Sequence, residues 1–325
     1  MSDGVVSALD RVRARDDRSL TDFHGHETRR LANDHLWVDV LAAAGPRIVR
    51  LGLADSSTNS LAETPGDGWD TPHGRYELFG GHRLWFAPED PDRVAVPDGH
   101  GLRIELEADG IRLTGSAEVP TGLVRSMTLR LDPDDALLEV CHALQNVGDL
   151  PTELAPWSIT QLPLGGTVLL PQRPAIPGHH VHPNRTLVLW PYTSWDDPRF
   201  RPRDGLLTLD ALAGPDLKLG YFNDAGWVAY VRNGTSLVRQ FEPLAGQPHP
   251  DLGCNVEVYV GGRYLELELL GPLRVLAPGA TVTLVERWQI GRLDGLVRSG
   301  DLRAIVAQIA PKPPVAGATA QWPWA

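Results

Sequence analysis

The 325-residue sequence contains little cysteine and little lysine. Cys141 and Cys254 are its only cysteines, so neither a disulfide framework nor a cysteine-rich zinc site is indicated. Lys218 and Lys312 are the only lysines among 30 basic residues, which we attribute to codon usage and not to function. No apolar run approaches the roughly 20 residues that cross a bilayer, and the first residues lack the apolar core of a secretory signal. We therefore expect a cytoplasmic protein with no membrane partner.

Basic residues are also outnumbered, because 41 acidic residues against 30 basic ones give a net charge of −11. This balance argues against nucleic acid as a partner, since phosphate binding needs a basic surface. The sequence lacks the glycine-rich motifs of dinucleotide and phosphate sites, the HExxH motif of zinc peptidases and the nucleophile elbow of hydrolases. No cofactor is therefore expected, and the histidines described below leave metal binding open.

Short β-like segments fill residues 101–290, separated by Gly, Pro, Asn and Asp at intervals of roughly 10–15 residues. Such spacing without intervening helices predicts an all-β fold, a sandwich or a barrel. The expected organisation is an N-terminal helical segment at 1–20, one β domain at 21–292, a C-terminal helix at 293–310 and a proline-rich tail at 311–325. Residues 55–75, rich in Ser, Thr, Gly, Asp and Pro, predict a long loop.

One predicted hairpin gathers several acidic side chains. The runs CNVEVYV and RYLELELL flank Gly261-Gly262, which predicts a two-residue turn. Crowded carboxylates raise one another's pKa, and such groups tend to mark functional sites. Acid–base chemistry or metal ligation in a cleft is one interpretation, and a solvated outer face neutralised by arginines is the other. The turn would place three opposed pairs on one side of the sheet: Glu257–Glu266, Asn255–Glu268 and Tyr259–Tyr264.

Two further segments carry ionisable side chains. GGHRLWFAPED (80–90) contains His82, an acid or base near neutral pH, and Arg83, a donor for hydroxyls or a carboxylate. GHHVHPNR (178–185) contains His179, His180 and His182, whose spacing is a weak signal for a metal. We prefer to interpret this second segment as a loop that lines a cleft.

Four segments together resemble an uncharacterised bacterial family within the galactose mutarotase-like (aldose 1-epimerase) superfamily. The resemblance runs from about residue 27 to residue 290 in the same order. It implies a large antiparallel supersandwich with short terminal helices and a sugar-binding face. The segments are GGHRLWFAPED (80–90), ELAPWSITQLPLGG (153–166), LWPYTSWDDPRF (189–200) and the stretch 255–288.

The resemblance also implies roles for individual residues. Mutarotases carry their catalytic base on a C-terminal strand of the form L-E-T-Q-x-x-P, and LELELLGP places Glu268, or else Glu266, on that motif. Glu268 is preferred because it lies closer to the proline. The acid of mutarotases is a histidine, and Trp157 stands at its place, so the acid role passes to His82 or to a histidine of 179–182. Substrate contacts are expected from Arg83, Trp85, Trp157, His180, His182, Trp190, Tyr192, Asn255 and Glu257.

The leading hypothesis is therefore a carbohydrate-binding, aldose 1-epimerase-like isomerase that opens a sugar ring by acid–base catalysis. The second hypothesis is a non-catalytic carbohydrate-binding protein, which the tryptophan at position 157 favours. The third is a metal-assisted enzyme acting on a modified sugar or glycoside, which the histidines and the acidic hairpin favour. In each case the expected partner is a carbohydrate or a sugar-derived small molecule, and the oligomeric state is left open.

Overall fold

A computed structural model describes residues 21–107, 110–176, 178, 181–293, 295 and 301–311. The described residues form 23 strands and two short helices, which confirms the all-β prediction. The segment 1–20, predicted to be helical, lies outside these residues, as does the proline-rich tail from residue 312 onwards.

The strands are short and follow one another along the whole described chain. In chain order they are β1 (Thr21–Phe23), β2 (His26–Ala32), β3 (Leu36–Leu41), β4 (Arg47–Leu53), β5 (Glu63–Thr71), β6 (Gly74–Gly80), β7 (His82–Ala87), β8 (Arg103–Leu106), β9 (Gly110–Thr114), β10 (Leu123–Leu131), β11 (Leu137–Asn146), β12 (Thr152–Pro163), β13 (Thr167–Pro171), β14 (Val188–Leu189), β15 (Phe200–Arg203), β16 (Leu206–Asp210), β17 (Leu217–Tyr221), β18 (Trp227–Arg232), β19 (Thr235–Phe241), β20 (Val256–Val260), β21 (Tyr264–Leu270), β22 (Arg274–Leu276) and β23 (Thr281–Arg292). The helices are α1 (Pro250–Gly253) and α2 (Leu302–Ile309).

Two large antiparallel sheets contain all but two of these strands. Sheet I has the order β1-β2-β3-β4-β7-β12-β21-β20-β17-β14, and β22 also pairs with β12. Sheet II has the order β15-β16-β13-β18-β19-β23-β11-β10-β9-β8. Strands β5 and β6 form a separate two-stranded ribbon. The fold is thus the large antiparallel supersandwich that the sequence predicts.

Alternating side chains on the central strands of sheet I explain how its two faces differ. In β20, the side chains of Val256, Val258 and Val260 are fully buried in the aliphatic core that the two sheets share. In β21, the side chains of Leu265 and Leu267 are fully buried in the same core. Each such side chain contributes about 1.5–3 kcal/mol through burial. Because successive residues of a strand point to opposite faces, the residues between them point away from sheet II.

The predicted loop at 55–75 is partly wrong, because β5 pairs with β6 from Glu63 onwards. The sequence of β5, ETPGDGWDT, contains one large apolar residue and therefore lacks the alternation typical of a half-buried strand. That residue is Trp69, whose ring lies 5.1 Å from Tyr76 and 6.3 Å from Trp85, measured between ring centroids. The ribbon therefore folds over one end of the outer face of sheet I.

Within the predicted C-terminal helix at 293–310, the structure describes α2 at Leu302–Ile309, and residues 294 and 296–300 lie outside the described residues. The carboxylate of Asp301 accepts hydrogen bonds from the backbone N–H groups of the second and third residues of α2 (3.0 and 3.1 Å), which explains where the helix begins. Ile305 and Ile309 are buried against the outer face of sheet II. Neither α1 nor α2 is long and apolar enough to cross a membrane, and no other helix is described.

A polar cluster interrupts the aliphatic core between the two sheets. Arg239 of β19 donates from Nε to Oε2 of Glu286 (2.8 Å) and from Nη2 to Oγ of Ser158 (2.9 Å). The indole N–H of Trp288 donates to the same carboxylate oxygen (2.7 Å). We call this group the inter-sheet cluster. It consists of seven residues with 0% exposure: His82, His142, Ser158, Thr160, Arg239, Glu286 and Trp288.

Two histidines complete the inter-sheet cluster. His82 is hydrogen-bonded through Nδ1 to Thr160 (2.8 Å) and through Nε2 to Nε2 of His142 (3.1 Å). Burial, reinforced by the neighbouring His142, lowers the pKa of His82 well below its usual value. Burial alone would raise the pKa of Glu286, but the Arg239 guanidinium and a hydrogen bond from His142 hold it well below the usual range. The cluster therefore ties β7 and β12 of sheet I to β11, β19 and β23 of sheet II.

Replacing Arg239 should weaken the contact between the two sheets. We expect Arg239→Met to lower the free energy of unfolding by about 3–5 kcal/mol at pH 7, because it leaves the Glu286 carboxylate buried without a counter-ion. The matched control is Arg112→Met, which removes a partly exposed ion pair of sheet II with Glu107 and should cost at most about 1 kcal/mol. Urea unfolding followed by circular dichroism measures both, and equal losses would contradict this role of Arg239.

The same variants should differ in their response to acid. The pKa of Glu286 is lower in the folded chain than in the unfolded chain, so its contribution to stability is present at neutral pH and is lost as the pH falls. Without Arg239 the pKa of Glu286 should rise, so Arg239→Met should lose less stability between pH 7 and pH 4 than the wild type does. A parallel pH dependence would contradict this interpretation.

Candidate active site

The outer face of sheet I carries most of the residues that the sequence singles out. Five adjacent strands, β7, β12, β21, β20 and β17, each point polar or aromatic side chains away from sheet II. We call this surface the carboxylate face. It consists of Arg83 and Trp85 on β7, Trp157 and Gln161 on β12, Glu266 and Glu268 on β21, Glu257 and Tyr259 on β20, and Lys218 on β17.

The acidic hairpin of β20 and β21 has a register different from the predicted one. Glu257 lies opposite Glu268 and Tyr259 lies opposite Glu266, so the predicted pairs Glu257–Glu266, Asn255–Glu268 and Tyr259–Tyr264 are wrong. Beyond the pair Val260–Leu265, the backbone N–H of Gly261 donates to the carbonyl oxygen of Tyr264 (3.1 Å), so the two-residue turn is Gly262-Arg263, one residue later than predicted. A shift of two positions keeps every side chain on its predicted face. The carboxylates therefore share one surface as predicted, with Glu268 in place of Glu266 opposite Glu257.

Lys218 lies at the β17 end of the carboxylate face and contacts two of its glutamates. Its Nζ lies 2.8 Å from Oε2 of Glu257 and 2.9 Å from Oε2 of Glu268. The same ammonium lies 4.9 Å from the ring centroid of Trp157 and 4.7 Å from that of Trp190. Two carboxylates and two indole rings thus surround one cation, an arrangement that stabilises the charge through ion pairing and cation–π contacts.

Lys218 was not among the predicted site residues, although two features of the sequence point to it. The strand LKLGY has Leu217 and Leu219 fully buried towards sheet II, so alternation alone directs the residue between them to the outer face. Lysine is also rare in this chain, with one other example at Lys312, so a lysine within a buried strand is conspicuous. Its pairing with Glu257 and Glu268 depends on β17 lying beside β20, which sequence alone does not determine.

Glu257 and Glu268 are buried beside a single cation, so they hold one proton between them at neutral pH. Burial raises the pKa of Glu257 to about 9, and the charge of Glu268 acts in the same direction against the effect of Lys218. The pKa of Glu268 is also raised, chiefly by burial. Burial opposes the charge of Lys218, but Glu268 and Glu257 together raise the pKa of its ammonium. One cation neutralises one of the two carboxylates, so at neutral pH the other retains a proton.

Several atoms of the carboxylate face have no hydrogen-bond partner among the described residues. The set includes Oε1 of Glu257, Oε1 of Glu268 and Oε1 of Gln161, all of them acceptors. It also includes the donors Nε and Nη1 of Arg83. Leaving such a buried group unpaired costs about 1–3 kcal/mol. A mixture of unpaired donors and acceptors on one face suits a ligand with several hydroxyl groups, since each hydroxyl both donates and accepts.

The second half of the face is organised around Glu266. Its Oε1 accepts hydrogen bonds from Nη2 of Arg83 (2.9 Å) and from Nε2 of Gln161 (3.0 Å). The guanidinium of Arg83 stacks on Trp85, with 4.4 Å from Cζ to the ring centroid. The indole N–H of Trp85 in turn donates to the hydroxyl of Tyr76 in β6 (2.9 Å). This chain of contacts fixes the direction of the Arg83 side chain.

A segment following β14 covers the Lys218 end of the face. The hydroxyl of Thr193 donates to the carbonyl oxygen of Lys218 (2.7 Å) and accepts from its backbone N–H (2.8 Å). These bonds hold Trp190 over the ammonium and leave Tyr192 half exposed at the rim. Burial raises the pKa of Tyr192 to about 12, so its phenol stays protonated at neutral pH. The rim is therefore aromatic and the floor is ionic.

The structure brings together eight of the predicted site residues on or beside the carboxylate face. The fixed centre is Glu268, whose Oε2 accepts from the indole N–H of Trp157 (2.8 Å) as well as from Lys218. The eight residues are Arg83, Trp85, Trp157, Trp190, Tyr192, Glu257, Glu266 and Glu268.

Other predicted site residues lie elsewhere. His82 points to the opposite side of β7 from Arg83 and belongs to the inter-sheet cluster, so it does not share a face with Glu268. The side chain of Asn255 accepts from the backbone N–H of Asn223 (2.6 Å) and donates to its carbonyl oxygen (2.9 Å), which holds the backbone before β20. His182 is exposed between β13 and β14. His179 and His180 lie outside the described residues.

One group has the residue types of a metal site. Within the inter-sheet cluster, Nε2 of His142 lies 3.1 Å from Nε2 of His82 and 3.3 Å from Oε1 of Glu286. These donor atoms all lie within 4.8 Å of one another. However, Arg239 already neutralises Glu286, so a divalent cation would add uncompensated charge to a fully buried core. Hydrogen bonding within the cluster accounts for the same contacts without that cost.

Comparison with known proteins finds similarity in structure alone. No protein family matches the sequence. No curated protein matches it either. A galactose mutarotase-like protein from Lactobacillus casei covers 81% of this chain and 100% of its own, with a TM-score of 0.54 and 11% identity. A candidate aldose 1-epimerase from Escherichia coli K12 covers 82% of this chain and 99% of its own, with a TM-score of 0.51 and 14% identity.

A longer protein also contains this fold. A TPR-domain containing protein from Parabacteroides distasonis matches 82% of this chain with a TM-score of 0.57 and 14% identity. The present chain spans 47% of the length of that protein. At identities of 11–14%, these likenesses describe the fold.

Removing the central ammonium should destabilise the site in a pH-dependent way. We expect Lys218→Met to lower the free energy of unfolding by about 3–5 kcal/mol at pH 7, because the ionised carboxylate of the buried Glu257–Glu268 pair loses its counter-ion. Both groups then prefer the protonated form in the folded chain, so the variant should regain stability as the pH falls from 8 to 5, more steeply than the wild type. Urea unfolding at several pH values measures this, and Lys218→Arg, which keeps the charge, is the control. A pH dependence identical to that of the wild type would contradict the assignment.

Proposed function

Because the chain has the galactose mutarotase-like fold, we propose that it binds a carbohydrate on the carboxylate face and interconverts its anomers as an aldose 1-epimerase. The observation that carries this proposal is the state of Glu268. One of its carboxylate oxygens is fixed by Trp157 and Lys218, while Oε1 has no partner among the described residues. A buried, oriented carboxylate with one free oxygen is suited to take a proton from a hydroxyl group.

The reaction needs few groups and no cofactor. A base removes the proton of the anomeric hydroxyl while an acid protonates the ring oxygen, the ring opens, and it closes again on the other face of C1. In this proposal Glu268 is the base, and the ionic floor of the site keeps it deprotonated through Lys218. Trp157 orients the carboxylate by its indole N–H.

The remainder of the face suits the recognition of a sugar. Gln161 and Arg83 offer unpaired polar atoms beside Glu266, in positions to bond hydroxyl groups. The rings of Trp190 and Tyr192 lie at the rim, where an aromatic plane packs against the C–H surface of a pyranose. Arg83 and Lys218 are already paired with carboxylates, so hydroxyl groups are better accommodated there than phosphates.

A second candidate function is carbohydrate binding without catalysis. The observation that favours it is Trp157, which stands where the resemblance to mutarotases places a catalytic histidine. Sugar binding without anomer interconversion would support this alternative and contradict the enzyme proposal.

Substituting the proposed base separates these possibilities. We expect Glu268→Gln to reduce anomer interconversion at least about 100-fold, the usual lower contribution of a positioned acid or base. Folding should be retained, because glutamine keeps an oxygen for the Trp157 N–H and Lys218 keeps Glu257 as its partner. Polarimetry of freshly dissolved α-glucose and α-galactose measures the rate, and thermal unfolding checks the fold.

The matched control is Glu153→Gln, an exposed residue near the start of β12 that lies four positions before Trp157 and is not one of the residues of the carboxylate face. Unchanged turnover in Glu268→Gln would contradict the role of Glu268 as base. Unfolding of that variant alone would assign Glu268 a structural role instead.

A further inference from the structure

We propose that Glu257 is the general acid of this site, in the role that a histidine has in mutarotases, that Lys218 neutralises only one of the two opposed glutamates, and that Trp157 determines which of them keeps the proton. This proposal rests on the proposed function and identifies the missing half of its chemistry. It follows from the geometry of three side chains on three neighbouring strands, β17, β20 and β21.

One ammonium faces two carboxyl groups, so the charges at this site do not balance if both are ionised. Glu257 and Glu268 lie directly opposite each other and both contact one ammonium, at 2.8 and 2.9 Å. Two ionised carboxylates with one cation would leave a net negative charge in a buried site, which is costly unless one carboxylate is protonated. The groups that face Glu257 reinforce this, because two of them are carboxylates and one is a cation. They are Lys218 on β17, Glu268 on β21, Asp251 in α1 and the thiol of Cys254, which precedes β20.

Differences in hydrogen bonding decide which carboxyl group keeps the proton. Glu268 accepts the indole N–H of Trp157 as well as the ammonium, and two donors to one carboxylate favour its ionised form. Glu257 has the ammonium alone, and neither of its oxygens accepts a hydrogen bond from another described residue. The geometry therefore assigns the proton to Glu257 and the negative charge to Glu268.

The backbone beside Glu257 supports a functional role for this corner of the site. Asp251 and Leu252 both adopt left-handed conformations, with φ of 50° and 61°, although neither is glycine. Such conformations are strained in residues other than glycine, and they tend to persist where a structure is held for function. The turn that they form, α1, brings the Asp251 charge close enough to act on Glu257 and so favours its protonated form.

Other candidate acids among the described residues are less suitable. His82 lies on the inner side of β7. The phenol of Tyr192 has its pKa raised to about 12 and is a weak acid at neutral pH. The pKa of the Lys218 ammonium is raised by its two carboxylate partners, so it holds its proton. Glu257 is the group on this face whose proton is both present at pH 7 and transferable.

The resulting reaction is balanced without a co-reactant. The anomeric O–H proton passes to Glu268, the C1–O bond of the ring breaks, and the proton of Glu257 passes to the ring oxygen. The open-chain aldehyde rotates about the bond between C1 and C2. In the reverse steps the ring oxygen attacks C1 from the other side, its proton returns to Glu257, and Glu268 returns its proton to the carbonyl oxygen.

Kinetics of Glu257→Gln test the role of the acid. We expect about a 100- to 10,000-fold loss of kcat with freshly dissolved α-glucose and α-galactose, with sugar affinity by calorimetry changed less than about threefold. The wild type should lose activity as the pH rises through about 9, where Glu257 loses its proton. The residual activity of Glu257→Gln should lack this alkaline limb, whereas that of Glu268→Gln should lack the acidic limb. Glu153→Gln should behave as the wild type.

Infrared spectroscopy tests the proton directly and does not depend on turnover. The wild type at pH 7 should show the C=O stretch of a buried protonated carboxyl group, and Glu257→Gln should lose it. Absence of this band in the wild type would overturn the proposal. Glu257→Gln with turnover close to that of the wild type would also overturn it while leaving the proposed function intact, whereas an inactive wild type would overturn both.

Discussion

The ion pair of Arg239 with Glu286, sealed between the two sheets, holds the strands on which the outer face of sheet I is built. Its partners alternate with residues of the carboxylate face. Ser158 accepts a hydrogen bond from Arg239, and the residue before it in β12 is Trp157 of the carboxylate face. A second nitrogen of Arg239 donates to the carbonyl oxygen of Leu267, between Glu266 and Glu268. Because strand residues alternate, an inner contact of this kind fixes the direction of the outer side chains beside it.

Sequence patterns were sufficient for the fold and for the side of the hairpin that carries charge. Alternation in CNVEVYV and RYLELELL placed Glu257, Glu266 and Glu268 on one face, and the structure agrees. The pairing within that face was wrong by two positions, because the turn is Gly262-Arg263 and not Gly261-Gly262. A turn moved by one residue shifts every opposed pair by two, and two adjacent glycines do not determine which of them begins the turn.

The composition of the site was harder to predict, because its residues come from strands that are distant in sequence. Lys218 reaches Glu268 only because β17 lies next to β20, across 50 residues of chain. His82 illustrates the opposite error, since a chemically suitable residue was chosen without regard to its side of the strand. Arg83 and Trp85 share one side of β7, and the same alternation places His82 on the other. Applying periodicity to each candidate would have separated them.

The inner side chains of these strands also determine which positions on the outer face can be substituted. Arg83 follows His82, and Trp157 precedes Ser158, so a substitution at either position disturbs a strand that the inter-sheet cluster holds from behind. Tyr259 stands between Val258 and Val260, whose aliphatic packing adjusts more readily than a network of directed hydrogen bonds. A substitution on the outer face of sheet I is therefore easiest to accommodate at Tyr259 and is most restricted along β7 and β12.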